Sequence, residues 1–252
     1  MKSFCLASVV VFTSLVSAHA APVPGFTVNF SNCSEFVGVG PVDLTQAAAL
    51  VPSGFTTLVV GTSASIVVRA TSCARVTVNG GRAIPTVISQ IGVQIVPPDG
   101  TGDINNYTLI YVTNNLDLVL AFQSLGLAAI FDPTITYEFT YDNTGKAGEL
   151  YVKAGSFNLP DYFLTGTEAD PASGGIDFKA NWWFAARAGR IKQASEFPNI
   201  AFGPANVGLH TSRNSVLGRL IGGNTDADFH FLPVRGLYAS ANMQVTLLIS
   251  GF

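Results

Sequence analysis

A chain of 252 residues with 48% apolar side chains is long enough to bury a large core. Only 12% of its residues are charged, about half the usual share of a globular protein, and its formal charge of −3 is mildly acidic. That balance argues against nucleic acid or an anionic membrane surface as the partner, and 18 phenylalanines among so few charges point to a large interior or an apolar cavity.

The chain begins Met1-Lys2, continues with an apolar run over 4–16, and reaches Ser17-Ala18-His19-Ala20. A short basic start, an apolar segment and a small-x-small end predict a signal peptide over 1–20, cleaved after Ala20. The run is shorter than the roughly 20 residues that span a bilayer, and no later segment is longer and unbroken. The expectation is therefore a secreted or lumenal chain without stable membrane insertion, its remainder a single domain over 21–252. Removing the leader removes Cys5 and leaves Cys33 and Cys73, an even count that predicts one disulfide in an oxidising compartment. Glycosylation sequons at Asn29, Asn32 and Asn106 suit the same compartment, with Asn106 the best placed because it follows a turn region.

In chain order, Asp43 is placed to cap a helix over 44–51 that Pro52 stops. β-Branched runs over 56–60, 65–71 and 75–79 read as strands, and 87–96 alternates with a period of two. The segment 97–103, Pro-Pro-Asp-Gly-Thr-Gly-Asp, is a turn region. A strand over 107–113 precedes a second helix over 115–126, capped by Asn115, with Leu118, Val119, Phe122 and Leu125 on one face. Strands over 134–141 and 149–154 flank the hairpin turn Asp142-Asn-Thr-Gly145. Strands over 176–187, 191–195 and 237–249 complete the set. The fold class predicted is mainly β, a β-barrel or curved β-sandwich with two short helices, and such a barrel can hold one small ligand.

Several chemistries lack their residues. The sequence has no His-Glu-x-x-His, no Cys-x-x-Cys and no Gly-x-Ser-x-Gly, and Gly38-Val-Gly40 lacks a dinucleotide loop's third glycine, so no metal or cofactor is expected. Three clusters remain. Asp226, Asp228 and His230 are spaced to share one strand face, as an acid/base set, a divalent metal site or a solvated strand edge. On the strand over 176–187, Phe178, Ala180, Trp182 and Phe184 share one face, and Lys179, Asn181, Trp183 and Arg187 the other. The second face mixes apolar area with donors, as a ligand wall does; the alternative is an amphipathic surface over a core. Ile135, Tyr137, Phe139 and Tyr141 share a strand face, with Tyr107 and Tyr111 on a strand expected beside it. Cross-strand aromatic packing accounts for that group, although a buried tyrosine hydroxyl also suits a substrate carbonyl.

The segment 40–55, Gly-Pro-Val-Asp-Leu-Thr-Gln-Ala-Ala-Ala-Leu-Val-Pro-Ser-Gly-Phe, resembles the opening of the acetoacetate decarboxylase-like β-barrels, where a short helix precedes the first barrel strand. Tyr111-Val-Thr-Asn-Asn-Leu116 and the helix ending Ser-Leu-Gly-Leu127 are similar in layout to that family's central strand and helix. The likeness covers about half the chain. The resemblance implies a barrel, but the family's Schiff-base lysine has no counterpart, since 120–133 contains no lysine. Taken whole, the leader, Cys33, the sequons, the β-richness and the apolar interior resemble the secreted fungal hetero-Diels–Alderases of tropolone sesquiterpenoid biosynthesis. This second resemblance implies a cofactor-free pericyclase that joins a polyketide-derived quinone methide to an apolar terpene such as humulene. Trp182, Trp183, Tyr137 and Tyr141 are then the expected substrate wall, and Arg187, Lys179, Tyr111 or His230 the donor to the heterodiene oxygen. Two other readings stay open: a non-catalytic carrier of apolar small molecules, and a lysine-dependent decarboxylase-like enzyme using Lys153, Lys179 or Lys192.

Overall fold

β-Branched and aromatic residues at alternating positions make strands wherever one face of the chain can be buried. A computed structural model of the protein describes residues 23–155, 162–229 and 232–248, so the leader expected over 1–20 lies outside the described residues. The strands are β1 (Val23–Val42), β2 (Ala64–Val78), β3 (Ile84–Gln94), β4 (Ile104–Thr113), β5 (Ile130–Phe131), β6 (Thr136–Tyr141), β7 (Ala147–Ala154), β8 (Tyr162–Ala169), β9 (Ile176–Ala186), β10 (Gly189–Thr211), β11 (Asp226–Asp228) and β12 (Val234–Leu248). The helices are α1 (Leu44–Leu50), α2 (Leu116–Ser124) and α3 (Val216–Leu220). Among the described residues no helix is long and apolar enough to cross a membrane.

Strand pairing runs β12-β1-β2-β3-β4-β9-β10, and β10 pairs again with β12, which closes seven strands into a barrel. Only the β4–β9 step of that ring is parallel. The far half of β10 leaves the barrel and pairs with β8, and β8, β7 and β6 continue a second sheet that lies against the barrel's outer face. One core fills the space between them, with Ile66, Val68 and Ile91 from the barrel meeting Leu150, Val152, Leu164 and Leu209. Gly38 makes room in this layer, because a Cβ there would sit 2.5 Å from the Phe229 ring. The other core is the barrel interior, plugged at one end by α2, whose Phe122 ring lies 5.0 Å from Phe26 and 4.6 Å from Tyr111.

Two helices stand where the sequence predicts, each with the expected cap: Asp43 accepts from the Gln46 N–H and Asn115 from the Leu118 N–H. The third, capped by Ser215, is too short for its period to register in the sequence. The run 56–60 is not a strand and contributes only isolated bridges, at Thr57 and Val60. The runs 65–71 and 75–79 are one strand, and 191–195 is part of the 23-residue β10. The predicted bridge is present: Cys33 and Cys73 face each other across β1 and β2 with Cα atoms 4.1 Å apart. Just before it, Asn32 takes a left-handed φ of 53°, and the buried side of β1 switches from Phe26, Val28 and Phe30 to Cys33 and Glu35. The barrel interior therefore stays apolar at the α2 end and becomes polar at mid-height.

Candidate functional site

The inner wall carries charged and polar residues in the middle of apolar strands. Glu35, Arg69, Thr71, Gln90, Asn106, Thr108, Gln193 and Ser195 are all buried. Their placement follows from register. Glu35 opposes Thr71, Arg69 opposes Gln90, and Gln193 opposes Trp182, so these side chains share the inward face. Three bonds converge on Glu35 Oε2: from Arg69 Nε at 2.6 Å, Thr71 Oγ1 at 2.8 Å and the Tyr238 hydroxyl at 3.3 Å. Burial works against the Arg69 charge, but Glu35 and the Tyr238 hydroxyl more than reverse it and hold the guanidinium above its usual range. The Tyr238 hydroxyl is itself pushed up, first by burial and then by Glu35. Across the wall, Gln90 Nε2 donates to Thr108 Oγ1 at 3.0 Å and to Gln193 Oε1 at 3.3 Å.

Above this belt, away from α2, lies a cavity of about 180 Å³. Glu35, Arg69 and Asn106 are its polar lining; Trp182, Phe178, Phe197, Val67 and Ile104 are among its apolar walls, and Phe202, Leu232 and Val234 complete it. Leu232 is exposed, which marks the cavity's open side. Trp182 reaches close to β3 at Gly92, where a Cβ would come within 2.2 Å of the Tyr107 carbonyl oxygen and 2.9 Å of the indole. Asn106 is 1% exposed, and neither its Nδ2 nor its Oδ1 has a hydrogen-bond partner. A larger groove of about 540 Å³ outside the barrel shares Phe178 and Phe197 with the cavity, but it is open to solvent.

The structure redistributes the residues picked out from the sequence. Trp182 and Trp183 face opposite ways. Trp182 walls the cavity, whereas Trp183 points out of the barrel, where its Nε1 donates to Asn105 Oδ1 at 2.9 Å and its ring packs near Phe55. The face expected as a ligand wall, Lys179, Asn181 and Trp183, is thus the outer face. Asn181 is tied to Thr101 of the preceding loop, and Lys179 is solvent-exposed beside Glu196 at 3.0 Å. Arg187 lies exposed in the turn between β9 and β10. His230 lies outside the described residues.

Tyr111 and Tyr107 also part company. An extra residue at Leu109 shifts the β3–β4 register, so Tyr111 points into the barrel and Tyr107 out of it toward Phe55. Tyr111 is buried beneath the cavity rather than in its lining, and burial pushes its hydroxyl up while Arg69 pulls the other way. Neither tyrosine is beside β6, which pairs only with β7. Tyr137 instead lies half-buried between the sheets, and Tyr141 stands at the exposed rim of the same cluster. There the Tyr137 hydroxyl meets Ser34 at 3.1 Å, and Tyr141 donates to Asp170 at 3.2 Å. Arg235 lies 3.6 Å from the Phe139 ring centroid and donates to Glu168 Oε2 at 3.0 Å. Glu168 Oε1 has no partner, and burial outweighs the arginine, pushing this carboxyl up to about 7.

Asp226 meets His210 rather than standing in a cluster of its own. The two oppose each other in the β10–β11 pair, 2.6 Å apart, and His210 Nε2 is 2.8 Å from Thr165 Oγ1. This relay sits on the second sheet, and none of its three residues lines the cavity. Among the described residues no group of three His, Cys, Asp or Glu side chains is placed to hold a metal ion. The sequon at Asn106 is corrected too: a carboxamide buried in the barrel has no room for a glycan in the folded chain, whereas Asn29 is exposed. The residues the sequence reading missed, Glu35 and Arg69, did leave a signal. Each is a lone charge, Arg69 inside a β-branched run and Glu35 between Ser34 and Phe36-Val37, in a chain with few charges.

No family model matches the sequence, and neither does any curated protein. Solved structures do match the fold. An acetoacetate decarboxylase from Legionella pneumophila aligns with a TM-score of 0.54 at 12% identity over 96% of each chain. An acetoacetate decarboxylase-like enzyme from Sphingomonas wittichii gives 0.54 at 10% identity, over 97% of this chain and 100% of that one. The enduracididine biosynthesis enzyme MppR, in its complex with pyruvate, gives 0.52 at 13% identity, over 92% and 91%. At such identities the likeness is one of fold, and it extends the layout expected from 40–55 and 111–127 to nearly the whole chain.

Proposed function

We propose that this chain is a secreted, cofactor-free pericyclase that joins a polyketide-derived quinone methide to an apolar terpene by an intermolecular hetero-Diels–Alder reaction. The observation that carries the reading is the cavity itself: apolar walls that include one indole, and a polar lining of a guanidinium, the carboxylate that pins it and a carboxamide. In such a cycloaddition the four-atom O=C–C=C unit and the alkene form one C–O and one C–C bond, and three π bonds become one. No proton, electron or leaving group is exchanged, so the protein's task is to orient two partners and stabilise charge that builds on the heterodiene oxygen. Orientation supplies several kcal/mol of barrier lowering, and donors aimed at the oxygen add to it.

Of the residues first expected, Trp182 keeps its role, and the donor role passes to Arg69. Trp182 stacks on the planar heterodiene, and Arg69, held in place by Glu35, faces its oxygen. A cavity of about 180 Å³ is below the roughly 300 Å³ of pockets for drug-sized ligands, so it encloses one ring-sized partner. The terpene then lies at the open side, against Phe202, Leu232 and Val234. The disulfide favours an oxidising compartment and thus the secreted reading.

The test is product analysis with purified mature protein, the quinone methide precursor and humulene, with no added cofactor. The native protein should change rate and stereochemical ratio relative to buffer, and Trp182→Ala should fall at least tenfold while Lys179→Met does not. A ratio and rate equal to buffer sinks the proposal. The carrier reading draws on the same cavity and predicts ligand quenching of Trp182 fluorescence without turnover. The lysine-dependent reading has no lysine in the cavity lining to draw on, and predicts borohydride trapping with a keto acid.

A further inference from the structure

The Asn106 carboxamide is the one polar group of the cavity with nothing to bond to. It projects from β4 opposite Trp182 of β9, between Ile104 and the apolar wall. Arg69 has two of its five N–H groups taken by Glu35 and Tyr238, and Gln90 and Thr108 bond each other. Gln193 Nε2 and Ser195 Oγ are unpartnered as well, but neither lines the cavity. Leaving a buried amide unpaired costs about 1–3 kcal/mol per group, which a matching ligand recovers and a mismatched one does not. A carboxamide offers a donor and an acceptor side by side, and this holds whichever way its oxygen and nitrogen are assigned.

We infer that Asn106 selects neutral ligands whose buried end carries a hydrogen-bond acceptor and a hydrogen-bond donor on neighbouring atoms, the hydroxy-ketone class. The inference rests on the cavity's being the ligand site, as proposed above. Its particular demand is the ligand's hydroxyl. A bare carbonyl satisfies Nδ2 or the Arg69 guanidinium, but only a ligand donor satisfies Oδ1. A carboxylate lacks that donor and sets an anion against Oδ1 and Glu35, so ionised acids are rejected. Sites built to bond a ligand hydroxyl discriminate strongly against analogues without one, because the protein group is then stranded.

Calorimetric titration of the full mature protein tests this with four small probes: tropolone, tropone, 2-methoxytropone and azulene, in mildly acidic buffer that keeps tropolone neutral. Tropolone and tropone share a ring and differ in the hydroxyl; the methoxy compound keeps the oxygen but loses the donor. Tropolone should bind about tenfold or more tightly than tropone and 2-methoxytropone, a gap of one stranded hydrogen-bonding group. Asn106→Leu should abolish the gap and improve azulene binding. If tropone equals tropolone on the native protein, or if the gap survives in Asn106→Leu, the inference is overturned. The native comparison needs no variant, so it stands even where the leucine protein fails to fold. If azulene and all three oxygenated probes fail to bind, the cavity reading itself falls. Azulene binding without a tropolone–tropone gap sinks only the role of Asn106.

Discussion

The barrel and the second sheet each bury an arginine against a glutamate, and the two pairs are built differently. In the barrel, Glu35 Oε2 receives an arginine, a threonine and a tyrosine, and Arg69 is held above its usual range. Between the sheets, Glu168 receives Arg235 alone, its Oε1 has no partner, and Asp170 brings a second negative charge within 3.1 Å of the same guanidinium. Glu168 is almost fully buried, and burial pushes its carboxyl up to about 7 in spite of the arginine. An arginine neighbour does not by itself offset the burial of a carboxylate when the second oxygen has no donor to replace its water.

The largest effect that would break this contrast is on folding stability. Arg69→Met strands a charge that three groups were built around, and should cost about 3–5 kcal/mol in urea denaturation. Arg235→Met should cost less at pH 6 than at pH 8, because Glu168 can take up a proton. Equal costs at both pH values for Arg235→Met would refute the difference between the pairs. A smaller effect follows from Glu168 alone. Its folded pKa is raised from the ordinary 4.5 to about 7, so the folded state binds the proton more tightly than the unfolded chain does. Its contribution favours folding below about 4.5 and is lost as pH rises to about 7, by at most about 3 kcal/mol. Glu168→Gln should therefore flatten the stability profile across that window, and parallel profiles would rule the shift out. The smallest expected effect marks the outer limit of the site. Lys179→Met removes a solvent-exposed pair with Glu196 and should leave the denaturation midpoint unchanged.

Much of the fold was legible because its signals are local. Asp43 and Asn115 announce their helices by type and spacing, the residues Asp142-Asn-Thr-Gly145 announce a turn in which Gly145 takes a φ of 65°, and the bridge has only one pair to make. The site was less legible because its geometry is set by register. Lys179, Asn181 and Trp183 share a face, as the alternation says, but which face looks inward depends on the pairing of β9 with β4 and β10. A single extra residue at Leu109 undoes the apparent kinship of Tyr107 with Tyr111. Asn106 carries a sequon by sequence and a cavity wall by structure, and only the pairing with Trp182 separates the two. Glu35 and Arg69 lie far apart in the chain, and nothing local says that they meet.

The closure of the barrel by β10 and β12 has a consequence for how the protein behaves at high concentration. A sheet with free sides offers rows of unpaired amides that recruit other chains and seed aggregates. Seven strands joined in a ring have no such sides, so the strand-rich and most apolar part of this chain carries no template for growth. The exposure falls instead on β6, the last strand of the second sheet, which is six residues long and carries Glu138 facing solvent. Shortness and an outward charge are how natural sheets discourage such pairing, and here they guard the margin that β6 leaves open.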